Sequence, residues 1–115
     1  VDLNAPDRWP AWRKAAGLSA QGGPVVATYS DGALGLDGAI AGQGVFMAWP
    51  TLAGDALARG QLVRPSPVTL QTGEAYWLIR SATRRPRAEL ADFEAWIIAA
   101  LTETYAALGL SVEAT

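Results

Sequence analysis

"GPVVATYSDGALGLDGAIAGQGVFMAW", residues 23–49, decides how this chain is read. Residues 23–29 are rich in β-branched and aromatic side chains, the composition of a short buried strand. Residues 45–49 form an unbroken apolar run, as in a strand covered on both faces. Between them Ser30 is a good helix N-cap, and Asp31 suits the positive end of a helix dipole. Leu34, Ile40 and Ala41 keep a rough apolar face, and Gly42 or Gly44 ends the helix. Gly32, Gly35 and Gly38 each cost up to about 1 kcal/mol relative to Ala, so this helix must lean on its neighbours. The stretch predicts strand, helix, strand.

The same alternation extends to both sides. "DRWPAWRKAAGL" (7–18) predicts a short helix that Asp7 can cap, with Pro10 in its first turn and Gly17 as its stop. Trp9 and Trp12 share a face of it. "PTLAGDALARGQLV" (50–63) predicts another helix, ending at Gly60. Residues 62–63 and 68–70 are short extended pieces around Pro65 and Pro67, and Thr72-Gly73 marks a turn. "AYWLIR" (75–80) predicts a further strand. Pro86 opens a long last helix to about residue 108, in which Leu90, Phe93, Ile97, Leu101, Tyr105 and Leu108 recur at three- and four-residue steps. Alternation of this kind predicts an α/β fold with a largely parallel sheet flanked by helices. Val1-Asp2-Leu3 alone is left to supply a strand before the first helix, so the expectation is a chain that begins partway through a fold.

Composition narrows the function. The chain has 115 residues, is 50% hydrophobic and 17% charged, and carries a net charge of −2, so it is globular with room for a thin core. It contains no His and no Cys. A Ser/His/Asp triad, a thiolate nucleophile, a disulfide framework and the usual zinc sites are thereby excluded. No carboxylate pair has a catalytic spacing, and no dinucleotide or phosphate-loop motif is present, since the glycines of 38–44 close a helix rather than open one. The expectation is a protein that is not an enzyme and uses no cofactor and no metal. The basic run Arg80, Arg84, Arg85, Arg87 reads as a solvated turn. No signal peptide or apolar run of membrane-spanning length is visible, so no membrane partner is expected and the default location is cytoplasmic.

Under a parallel-sheet reading, ligands sit beyond the carboxyl ends of the strands. Tyr29, Ser30 and Asp31 then share an edge with Trp49, which ends the 45–49 run. A helix start at Ser30 offers free N–H groups to a small anion or carboxylate. The competing reading of Ser30 is a plain N-cap, and the charge of Asp31 would repel a carboxylate. Tyr76 and Trp77 are neighbours in a strand and face opposite ways, so one packs under the last helix and the other is free to line a cleft.

Taken in order, "W..W...AG", the strand running into a Ser-Asp helix, "AIAGQGV", "LARGQLVRP", "GEAYWLIR" and "RP…L..FEAWI" resemble the effector-binding domain of LysR-type transcriptional regulators. The branch that regulates β-lactamase induction and glycine cleavage is the most similar. The set spans residues 8–98. The resemblance implies a partial periplasmic-binding-protein-like (type II) effector domain. Residues 1–72 would be its second lobe; residues 73–115 would be a returning crossover strand and a C-terminal helix that pack on a first lobe preceding residue 1. It implies a small-molecule effector, and DNA contact only through an N-terminal helix-turn-helix outside this chain. Ser30 matches a hydroxyl residue that contacts effector in the family, and Tyr76 an aromatic that lines the cleft; Tyr29, Asp31 and Trp49 are neighbours by geometry. A homodimer, or another chain, would cover Phe93, Ile97 and Leu101. The alternative is a free-standing small-molecule binding domain of the periplasmic-binding-protein type.

Overall fold

The computed structural model describes residues 7–19, 21–85 and 87–112. Four helices form: α1 (Trp9–Ala15), α2 (Gly32–Ile40), α3 (Pro50–Ala58) and α4 (Ala88–Ala107). Two compact units result, Val1–Gln71 with the first three helices and Thr72–Thr115 with the fourth.

All four helices stop by one device. Each is followed by a glycine in the left-handed region: Gly17, Gly42, Gly60 and Gly109, with φ between 68° and 77°. The N–H one residue further on reaches back five residues. Leu18 donates to Arg13 O, Gln43 to Gly38 O, Gln61 to Ala56 O and Leu110 to Tyr105 O, at 2.9–3.0 Å. This closure satisfies carbonyls that the helix itself cannot, and a side chain at the glycine would oppose the backbone angle it needs.

In the first unit, α2 and α3 pack together. The buried residues of the two helices are small, Gly35 and Gly38 in α2 and Ala53, Gly54 and Ala56 in α3. Gly32, Gly35 and Gly38 fall three residues apart and make one stripe along α2. Bulky side chains lie against it. A methyl group built on Gly35 would sit 2.6 Å from Phe46 Cε2, one on Gly38 would sit 2.9 Å from Tyr29 Cζ, and one on Gly32 would sit 3.3 Å from Leu52 Cδ2. The glycines that weaken α2 as a helix are thus what lets the neighbouring rings approach its backbone. In α1, Trp9 and Trp12 meet edge to face with centroids 5.8 Å apart, and Trp12 Nε1 donates to Val68 O at 3.1 Å. Asp7 Oδ1 accepts from Trp9 N at 3.0 Å, at the start of that helix. Arg64 holds the loop of 64–69 in shape, donating to Ser66 O, Pro67 O and the Thr69 hydroxyl.

In the second unit, α4 runs for 20 residues, about 30 Å at the usual rise. Arg80 meets Glu94 at 3.7 Å, which brings the end of the 75–80 segment beside the second turn of the helix. Phe93 and Trp96 stack at a tilt, 5.8 Å apart. No residue of α4 is buried.

The expected α/β architecture is overturned. The described residues are helical or irregular, no sheet forms among them, and Tyr29 alone is in an isolated bridge. A periplasmic-binding-protein-like fold with a mostly parallel sheet is therefore not what this chain adopts. Residues 23–28, 45–49, 62–63, 68–70 and 75–80 are non-helical, but no ladder joins them. Strand-forming composition makes a side chain fit a pleated surface; the backbone still needs a neighbouring strand to bond to. None of these segments supplies one to another. Their side chains stay in water accordingly: Val25, Val26, Val45 and Trp77 are 69–72% exposed, and Ile79 is 86% exposed. The Val1–Leu3 strand and the Pro86 helix start lie outside the described residues; Arg87 is the N-cap of α4.

Candidate functional site

The residues singled out from the sequence gather in part around the N-terminus of α2. Asp31, not Ser30, caps that helix. Its backbone is extended (φ −141°, ψ 142°), its Oδ1 accepts from Ala33 N at 2.7 Å, and its carbonyl receives Gly35 N at 3.2 Å. The helix starts one residue later than a Ser30 cap would set it, because either residue can cap and the second one does. Ser30 precedes the cap and is exposed. Tyr29 is half-buried; its hydroxyl donates to Gln43 Oε1, and its ring lies over Gly38. Trp49 is the N-cap of α3, 37% exposed, and its ring edge would be 3.9 Å from a methyl group on Gly32. Tyr29 and Trp49 therefore lie against the glycine stripe of α2 toward its opposite ends, at Gly38 and Gly32, while Asp31 caps the helix. Tyr76 belongs to the second unit, where it is 69% exposed.

The chemistry of this end of α2 follows from the cap. The Asp31 carboxylate already takes the N–H of Ala33, one of the groups an anionic ligand would use, and its charge repels a second anion. The surrounding atoms can instead accept hydrogen bonds, through the Asp31 carboxylate, and exchange them, through the Ser30 hydroxyl; the Tyr29 hydroxyl lies at the other end of α2, by Gly38 and Gln43. Gln43, just past the C-terminal end of α2, bonds Tyr29 across 14 residues, a pairing that the sequence alone does not mark.

Two shallow depressions lie elsewhere. One is lined by Pro10, Lys14, Gly17 and Leu18. The other, in the second unit, is lined by Ser81, Ala82, Leu90 and the four arginines of 80–87. None of the five selected residues lines either. Among the described residues no group of three or more His, Cys, Asp or Glu could hold a metal ion, and no helix is long and apolar enough to cross a membrane.

Removing the cap is a direct check on this local geometry. Asp31→Ala is expected to lower stability by about 1 kcal/mol, as loss of a capping carboxylate does, while Ser30→Ala stays within about 0.5 kcal/mol. Thermal denaturation followed by helical circular dichroism measures both. A larger loss from Ser30→Ala than from Asp31→Ala would place the cap at Ser30 instead.

Compared with family models, curated proteins and solved structures, the chain gives no match.

Proposed function

We propose that this chain is a ligand-sensing portion of a LysR-type transcriptional regulator, acting in the cytoplasm through a DNA-binding module outside these 115 residues, and that it is not an enzyme. One observation carries the reading: the ordered residue set from Trp9-x-x-Trp12 through "AIAGQGV", "LARGQLVRP" and "GEAYWLIR" to Phe93-Glu94-Ala95-Trp96. The helical fold does not share in it, because the sheet that the resemblance implies does not form among the described residues, so the reading stands on those residues alone. Two further facts agree with a sensor rather than a catalyst. His and Cys are absent, and the polar groups gathered at α2 suit binding without offering a base poised on a nucleophile. The effector is a small molecule. Because Asp31 occupies the start of α2, one with a donor group, such as an amine or amide beside a carboxylate, fits better than a bare carboxylate.

The test is made on the protein encoded by the gene with the sequence upstream of Val1 included. That protein is expected to retard a duplex containing its own promoter, with affinity falling as salt rises, and a small amino-acid or peptide ligand is expected to change the retardation. Ser30→Ala should weaken the ligand response about threefold or more, the size of one hydrogen bond. The 115-residue chain alone should leave the duplex unshifted, because its net charge is −2. An upstream region that encodes no helix-turn-helix overturns the proposal.

A further inference from the structure

The basic residues of the second unit share one wall. Arg80, Arg84, Arg85 and Arg87 all line the open hollow at the start of α4, which encloses about 870 Å³. Ser81, Ala82 and Leu90 complete the lining, and none of the lining residues is acidic. Arg80 is engaged with Glu94 at 3.7 Å. Among the described residues, Arg84, Arg85 and Arg87 make no ion pair. Glu89 is exposed in the first turn of α4 and lines no part of the hollow.

The segment that carries these arginines is braced at two places. The Ser81 hydroxyl accepts from Thr83 N at 3.4 Å and from Arg84 N at 3.3 Å, and lies 3.2 Å from the Thr83 hydroxyl. This turn brings Arg84 back to the hollow that Arg80 lines. The Arg80–Glu94 pair fastens the same segment to the second turn of α4. Arg87 is the N-cap of α4 and makes no side-chain cap bond, so the first N–H groups of a 20-residue helix have no cap acceptor at the edge of the hollow. Like charges on one wall repel one another, and a counter-ion held between them removes that cost.

We infer that this hollow binds an anion with two linked phosphate groups, either pyrophosphate or the diphosphate end of a larger small molecule. The number of unmatched cations sets the class. Glu94 already offsets Arg80, and Arg84, Arg85 and Arg87 remain. One phosphate group carries about −1.5 to −2, which three guanidinium groups beside a helix start exceed. Guanidinium is also the cation whose planar fork donates two parallel N–H bonds to phosphate oxygens. Ala82 and Leu90 bring neither an acceptor nor a negative charge to compete. A long polyanion suits the chain less well. Nucleic acid needs cations along an extended face, and here the net charge is −2 even with these four arginines counted. The hollow belongs to the second unit, whereas the residues grouped at α2 belong to the first, and it does not depend on the regulatory reading.

Isothermal titration calorimetry of the 115-residue chain with sodium pyrophosphate at low ionic strength is expected to give one site per chain, with a dissociation constant on the order of 0.1 mM. Orthophosphate and sulfate should each bind about tenfold more weakly, and added salt should weaken pyrophosphate several-fold. Arg84→Gln and Arg85→Gln should each weaken it about fivefold to tenfold, and Ser81→Ala about threefold through the lost turn. Arg59→Gln, at an exposed cation of the first unit, should leave the affinity unchanged. The substituted arginines are exposed, so their variants are expected to keep the wild-type circular dichroism and to test the site even where Ser81→Ala disturbs the loop. Absence of saturation at about 10 mM pyrophosphate, equal affinity for sulfate, or unchanged binding by the Arg84→Gln, Arg85→Gln double variant would each overturn the inference. So would retardation of a DNA duplex by this chain through the same arginines, which would make them a nucleic-acid surface instead.

Discussion

Gly35→Val should lower the stability of the first unit by about 2–3 kcal/mol, the range of a forced overpacking, even though valine is the better helix former. The opposition of these two effects makes the experiment informative. In a helix whose glycine faced water, any side chain would help by up to about 1 kcal/mol. At Gly35 the first added carbon meets Phe46 at 2.6 Å from Cε2 and 2.9 Å from Cζ. The second and third carbons of valine have no room to turn, because a β-branched side chain is held to one rotamer in a helix. Phe46 must move, and it is half-buried against the same helix. Gly35→Ala is the graded control. There the clash and the propensity gain are similar in size, so the net loss is expected below about 1 kcal/mol. Denaturant midpoints of the three proteins order as wild type, alanine, valine if the ring contact holds; stabilisation by both substitutions would remove it.

That contact also shows what the sequence conveys and what it withholds. The helix stops were legible because a glycine after an apolar-periodic run has a local meaning: it can take a left-handed angle that other residues resist. Gly17, Gly60 and Gly109 were read so and lie so, and of the Gly42/Gly44 pair it is Gly42 that has φ of 77°. Gly32, Gly35 and Gly38 were read by the same local rule, as a propensity penalty. Their reason is not local. It lies in Phe46, Tyr29 and Leu52 approaching from other segments, and the cue was the spacing of three that puts all of them on one stripe. The cap at α2 was legible to within one residue, since Ser30 and Asp31 are both able to cap and the sequence does not rank them.

The absence of a sheet among the described residues was not legible, for a related reason. Residues 23–29, 45–49 and 75–80 have the side chains of strands, and a sheet requires in addition a partner for each of them. Whether two strands meet is set by chain topology, which composition does not encode. A parallel pair in particular needs a crossover that delivers the second strand alongside the first. Here Val45 is 72% exposed and Leu78 52%, so neither segment has found the cover that its composition suits. Part of the candidate site survives this, because Trp49, the N-cap of α3, meets Gly32 near the start of the helix that Asp31 caps. The sheet-edge argument that first grouped them does not.

The largest single loss is expected at the seam between α2 and α3. Ala56→Asp should destabilise the first unit by about 3 kcal/mol or more, enough to abolish its cooperative unfolding transition near neutral pH. Ala56 is 5% exposed and Ala53 7%, and they are the buried hydrophobic residues of the described chain. A core this small has no spare apolar surface to absorb the change. An aspartate there would be deprived of solvent with no cation in contact, so its carboxyl would titrate higher in the folded state than in the unfolded one. The sign of the pH effect follows: relative to wild type, the variant's deficit is least below the unfolded value of about 4 and grows as pH rises through the folded value. Ala56→Ser separates volume and polarity from charge and should cost about 1–2 kcal/mol with no such pH dependence. Far-ultraviolet circular dichroism against urea at pH 4 and pH 8 makes both comparisons. If the aspartate variant unfolds at the wild-type midpoint at both pH values, the α2–α3 seam is not the core of this unit.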